Sequence, residues 1–166
     1  MSLSKHVVSM LVENESGALS RIAGLFSMRG YNIESLTVAP TNDPTLSRTT
    51  IVTSGDDRTI EQITKQLNKL VDVVRLVDLT EAAHIAHEML MIKVRASGQQ
   101  RDEIFRLSDI YKGKIVDVTE ATFIVELSGD SEKLDSFVNT VGDEQILEVV
   151  RSGVIGIARG ERGLKV

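Results

Sequence analysis

The chain has 166 residues, 42% hydrophobic but only 4% aromatic, with no Trp, no Cys and a net charge of −5. This length admits one medium domain or two small ones, and a core of Val, Ile and Leu favours sheets covered by helices. The composition excludes disulfides, thiolate catalysis and cysteine-ligated metals, gives no basic patch for nucleic acid, and contains no apolar run near the roughly 20 residues that span a bilayer.

The start, Met-Ser-Leu-Ser-Lys-His, lacks the apolar stretch of a signal peptide, so the expectation is a soluble cytoplasmic protein with no membrane or nucleic-acid partner. Val7 to Val12 is a short apolar run that reads as a strand buried on both faces. A polar turn follows, Asn14-Glu15-Ser16-Gly17. From Ala18 to Met28 the period becomes helical, with Leu19, Ile22, Ala23 and Phe26 on one stripe and Leu25 beside it. Ser16 is the expected N-cap and Gly30 the C′ residue. Ile33 to Ala39 returns to strand character, and the two prolines of Pro40-Thr41-Asn42-Asp43-Pro44 make a turn. Leu46 to Thr53 reads as the second arm of a hairpin. Ile60, Ile63, Leu67 and Leu70 mark a second helix, and Val71 to Leu79 a fourth strand.

The second half repeats the order. Met89 to Ala96 is a strand; Ile104, Leu107 and Tyr111 mark a helix ended by Gly113. Ile115 to Val118 and Phe123 to Leu127 form a hairpin around Glu120-Ala121. Ser131 is the expected cap of a helix carrying Leu134, Phe137, Val138 and Val141, and Ile146 to Val150 closes the unit. Thr80 to His87 reads as the linker. Strand, helix, strand, strand, helix, strand predicts an antiparallel sheet of order 4-1-3-2 with two helices on one face. The fold class is therefore α+β: two ferredoxin-like βαββαβ domains, at 1–79 and 80–166. Their small size and open sheet edges favour pairing of domains.

Few residues offer catalytic chemistry. His84 and His87, with Glu81 and Glu88, would make a weak metal face if helical, but read better as a solvated linker, and the expectation is no metal. His6 reads as a surface or edge residue, and Asp56-Asp57 as acids favouring a helix dipole. The tail from Arg151 to Gly160 is glycine-rich but lacks the strand-to-helix context of a phosphate-binding loop, and reads as a loop or irregular last strand. RNA stacking fails because Val7–Val12 and Leu46–Thr53 carry no aromatic residue. No Ser-His-acid arrangement emerges, so the chain is not expected to be an enzyme.

The two asparagine turns are more informative. Exposed backbone N–H groups beside a short hydrogen-bonding side chain suit a small charged ligand such as an amino acid. The 4-1-3-2 sheet is expected to place the turn after the first strand and the start of the second at the same end, beside an edge strand. If two copies pair along that edge, Asn14 and Gly17 of one approach Asn32 and Ile33 of the other.

These stretches resemble the regulatory small subunits of acetolactate synthase. The match runs through Leu11-Val-Glu-Asn-Glu-Ser-Gly-Ala-Leu-Ser-Arg21, Gly24-Leu-Phe-Ser, Arg29 to Pro40, Asp43 to Arg48 and Leu67 to Val73. It continues more loosely through Ala96-Ser-Gly98, Arg101-Asp-Glu103 and Arg151-Ser-Gly153. The resemblance implies that the first domain is an ACT domain, a module that binds amino acids at dimer interfaces. It further implies a homodimer, valine feedback in branched-chain amino acid biosynthesis, and activation of a catalytic large subunit. That partner would carry thiamine diphosphate, FAD and magnesium, with no cofactor in this chain. By motif match, Asn14, Gly17 and Ala18 would face the valine, and Asn32 and Ile33 would come from the neighbouring chain. An alternative is an ACT-type sensor controlling a different enzyme or a transcription regulator.

Overall fold

The computed structural model describes residues 3–166, so Met1 and Ser2 of the leader reading lie outside it. The chain divides into two compact units: Met1–Ala86 together with Val154–Val166, and His87–Gly153. Where the sequence assigns all of 80–166 to the second domain, the segment from Val154 onward packs with the first unit. Among the described residues no helix is long and apolar enough to cross a membrane.

The first unit runs β1 (Ser4–Glu13), α1 (Ala18–Arg29), β2 (Ser35–Pro40), β3 (Leu46–Gly55), α2 (Asp57–Asn68) and β4 (Val73–Asp78). Its sheet has the order β2-β3-β1-β4, all pairs antiparallel, as the 4-1-3-2 expectation requires. Val8, Met10 and Val12 alternate along β1 toward the helices. They meet Ile51 of β3, Ala18, Ile22 and Phe26 of α1, and Ile60, Ile63 and Leu67 of α2. Leu19, placed on the inward stripe by its spacing, is 46% exposed; the stripe is centred one residue earlier, on Ala18, Ile22 and Phe26. Gly30 closes α1 in the left-handed conformation (φ 69°), with Tyr31 N–H donating to Phe26 C=O at 2.9 Å. Asp56 caps α2 by accepting from the Thr59 N–H at 2.7 Å.

The other face of this sheet is also covered. A 3-10 turn, Leu79–Glu81, follows β4 and buries Leu79. The strand β9 (Ile155–Ala158) pairs with β5 (His84–Arg95), and Arg159 N–H donates to Ala83 C=O. On this second face Arg48 Nη2 donates to Gly156 C=O at 2.8 Å, and Thr37 Oγ1 to Val154 C=O. Gly156 is needed for the close approach: a Cβ there would lie 2.7 Å from Leu79 Cδ1. Ser9 and Thr50 lie buried on this face.

The second unit runs from the later part of β5 through α3 (Gln99–Ile110), β6 (Lys114–Val118), β7 (Thr122–Gly129), α4 (Ser131–Val141) and β8 (Ile146–Arg151). Its sheet has the order β6-β7-β5-β8, again 4-1-3-2 in chain terms. Leu90, Ile92 and Val94 pack with Val125, Leu127, Ile104, Leu134 and Phe137. The cap of α4 is Asp130, accepting from Lys133 N–H at 2.8 Å, and not Ser131, which is the first helical residue. At the end of α3 the left-handed residue is Lys112 (φ 59°) and not Gly113. Gly113 is tightly packed: a Cβ there would lie 3.2 Å from Glu126 O.

Two further expectations change. The stretch Thr80 to His87, read as a linker, enters the 3-10 turn Leu79–Glu81 and the start of β5, which carries His84 and His87; three residues apart on a strand, these two point to opposite faces. His6 lies on the central strand β1, its side chain only 11% exposed and its Nδ1 2.6 Å from Asp78 Oδ2 of β4. It is an interior partner of a carboxylate, not an edge residue.

Candidate functional site

The turn between β1 and α1 is built from both ends. Asn14 N–H donates to Thr45 C=O at 2.8 Å, and Asn14 Nδ2 to Pro44 C=O at 3.3 Å. The donor end of the amide is thus tied to the β2–β3 hairpin, which leaves its oxygen as an acceptor for a ligand. Gly17 stands at the N-cap of α1 with φ 87°, a left-handed conformation that glycine adopts without steric cost. Ser16, the expected cap, makes no such bond: α1 has no side-chain cap. This contrasts with α2 and α4, whose first turns are closed by Asp56 and Asp130. Ala18 N–H donates to Glu15 C=O at 3.3 Å, and the N–H groups that follow it take no side-chain cap, at the positive end of the helix dipole. Ala18, the first helical residue, is buried in the core and contributes backbone to the turn.

The surroundings are acidic. Carboxylate oxygens of Glu13, Glu15 and Asp72 lie within 4.8 Å of one another. Asp72 is buried and accepts two bonds from Arg21, from Nε at 2.6 Å and Nη2 at 2.8 Å. These bonds hold the Asp72 carboxyl below its ordinary range and raise the Arg21 guanidinium. Arg21 also borders Gly17: a Cβ on Gly17 would lie 2.9 Å from Arg21 Nη1. A cavity of about 580 Å³ opens beside Asn14, with Glu13, Glu15, Asp43 and Thr45 among its walls. Sequence reasoning missed Arg21 and Asp72. Arg21 was findable, one helical turn after Gly17; Asp72 was not, because it arrives from 51 residues away.

Asn32 and Ile33 lie elsewhere. Asn32 is exposed and its C=O accepts from Thr53 Oγ1 at 2.6 Å. Thr53 pairs with His6, whereas Glu13, next to Asn14, pairs with Leu46. His6 and Glu13 are seven positions apart on β1, roughly 23 Å at about 3.3 Å per residue. The two turns therefore sit at opposite ends of the sheet, which corrects the expectation that they share one. The cause is connectivity: β1 and β2 both run antiparallel to β3 and hence parallel to each other, and α1 carries the chain back along the sheet between them. Ile33 packs half-buried against the first core. Within one unit, Asn14, Gly17 and Ala18 come together, and Asn32 and Ile33 stay apart from them. β2, which follows Ile33, is an edge strand of this sheet.

Comparison with known proteins covers both units. Residues 8–75 match a family model described as an AHAS small subunit-like ACT domain, and residues 87–160 one described as the small subunit of acetolactate synthase. The chain is 55% identical over 159 residues to the small subunit of acetolactate synthase isozyme 3 of Escherichia coli, covering 95% of this chain and 98% of that one. It is 55% identical over 161 residues to the acetolactate synthase small subunit of Haemophilus influenzae, covering 96% and 99%. The crystal structure of the acetolactate synthase small subunit from Thermotoga maritima superposes with a TM-score of 0.87 at 41% identity, over 96% of this chain and 99% of that one. With both units matched and the fold reproduced, the chain belongs to the family of acetolactate synthase small subunits, and its first unit is an ACT domain.

Proposed function

We propose that the chain is a non-catalytic regulatory subunit. It activates a separate catalytic large subunit of acetolactate synthase, and it confers feedback inhibition when valine binds between two copies of its first domain, residues 1–79. The observation that carries this reading is the division of the two turns between opposite ends of one sheet. Two-fold antiparallel pairing of β2 with its copy would bring the start of one β2 to the far end of the other. Asn32 and Ile33 of one chain would then meet Asn14, Gly17 and Ala18 of its partner. The separation of the two turns within one chain supports a site completed by a second copy.

The chemistry suits a branched zwitterion. The uncapped N–H groups after Ala18 would receive its carboxylate. The Asn14 amide oxygen and the acidic wall of Glu13 and Glu15 would receive its ammonium group. Burying the isopropyl group contributes about 1.5–3 kcal/mol. Inhibition requires valine to prefer the less active of two arrangements, with a coupling of about 1–3 kcal/mol. Thiamine diphosphate, FAD and magnesium belong, on this reading, to the catalytic partner, and the assembly works in the cytoplasm. Titration calorimetry of valine into the chain, alone and mixed with the catalytic subunit, tests the proposal. Saturable heat with one valine site per half of a symmetric dimer is expected; no heat in either mixture overturns it.

A further inference from the structure

The second face of the first sheet holds a cavity unlike the one beside Asn14. It has a volume of about 480 Å³, inside the range of small-molecule sites, and lies between the sheet and the segment after β9. Its walls are apolar side chains, Leu79, Ile157 and Leu164 among them, and its charged lining consists of Arg48, Arg162 and Lys165. Among the described residues no carboxylate lines it.

Arg48 is the fixed element. It projects from β3, half-buried, with Nε donating to the buried Ser9 Oγ at 2.9 Å and Nη2 to Gly156 C=O at 2.8 Å. Both acceptors are neutral, and a guanidinium has five donors, so most of its hydrogen-bonding capacity remains for something else. Burial lowers the basicity of this group with no carboxylate acting in the opposite direction. A partly desolvated cation held rigidly over an apolar cavity is stabilised by an anion that also fills the apolar space.

We propose that this cavity is a second ligand site, for a branched aliphatic carboxylate that lacks an ammonium group. The carboxylate would lie on Arg48 with Arg162 and Lys165 at the rim, and the branched body against Leu79, Ile157 and Leu164. An amino acid is disfavoured because its ammonium group would face three cations and no acceptor carboxylate. The cavity beside Asn14 has the opposite character, with Glu13, Glu15 and Asp43 in its walls. The two sites would therefore sort an amino acid from the same skeleton without its amine. The proposal stands independently of valine binding, since the two sites share no residue.

Heteronuclear NMR of the full chain tests it, using isocaproate, leucine and inorganic phosphate as separate probes. Isocaproate is expected to shift the amides of Leu79, Ile157 and Ala158 and the Arg48 Nε–H saturably, with leucine leaving them unmoved. The double variant R162Q/K165Q, which leaves the Ser9 and Gly156 bonds of Arg48 in place, is expected to weaken isocaproate at least tenfold. Arg48→Gln is expected to abolish binding. Absence of saturable shifts with isocaproate overturns the proposal. So does equal response to leucine, response to phosphate alone, or unchanged affinity in the double variant.

Discussion

The two units share a topology but treat the turn before their first helix in opposite ways. Both turns place a glycine with positive φ at the N-cap, Gly17 and Gly98, and neither helix has a side-chain cap. In the second unit an arginine takes the carbonyls around the turn. Arg101 Nη1 donates to the carbonyls of Ala96, Thr119 and Glu120 at 2.8–3.0 Å, and its guanidinium lies 4.5 Å from the Phe123 ring centre. In the first unit the arginine of the first turn, Arg21, pairs with the carboxylate of Asp72 while bordering Gly17, and Asn14 and Gly17 are exposed. A glycine turn opening a helix is thus not enough to mark a ligand site. What distinguishes the two is what the neighbouring arginine binds: backbone carbonyls in the second unit, a buried carboxylate in the first.

Three changes would break or sharpen this contrast. The largest effect is expected from Gly17→Asp. It places a side chain at a left-handed position, at a stability cost of about 1–2 kcal/mol, and drives a Cβ toward Arg21. Calorimetry should show valine binding weakened by at least about a hundredfold, some 2.7 kcal/mol, while activation of the catalytic subunit persists; retained valine affinity would remove the turn from the site. The second is Arg101→Met, which frees the three carbonyls around the other turn. Chemical denaturation should show the protein destabilised by about 1.5–3 kcal/mol from lost bonds to a charged group, with valine binding unchanged. Appearance of new valine affinity would instead make Arg101 a stopper of a latent site.

The smallest effect concerns acid. Asp72 has its carboxyl held below the ordinary value of 3.8 by the bonds from Arg21. A depressed carboxyl contributes stability in full above its unfolded value, and loses it as pH falls through the lower folded value. Thermal melts of the native chain and Asp72→Asn should therefore differ at neutral pH and converge below about pH 4. A gap that persists unchanged in acid would show that the Arg21 pair is not what Asp72 contributes.

Topology and both cores were legible because they rest on periodicity, which the sequence prints directly. Ile22, Phe26, Ile63 and Leu67, and later Leu134 and Phe137, are buried as their spacing predicts. The errors arose where a residue's role depends on something distant. His6 reads as surface until Asp78 arrives from another strand. Ser16 and Ser131 are plausible caps by residue type, but in one case backbone conformation leaves the cap open and in the other Asp130 takes it. The end of the sheet occupied by Asn32 follows from counting strand directions, and residue pattern alone does not carry it.

The return of Val154–Val166 to the first unit reverses the order in which the two halves can be completed. The second unit, His87–Gly153, is one uninterrupted segment and can close as soon as it leaves the ribosome. The first begins earlier yet lacks the bonds of Arg48 to Gly156 and of Thr37 to Val154 on one sheet face until that last segment is made. At synthesis rates of about 5–20 residues per second, the ACT domain waits several seconds, half-dressed, for a strand encoded after its neighbour. In this chain the unit translated first is the one finished last.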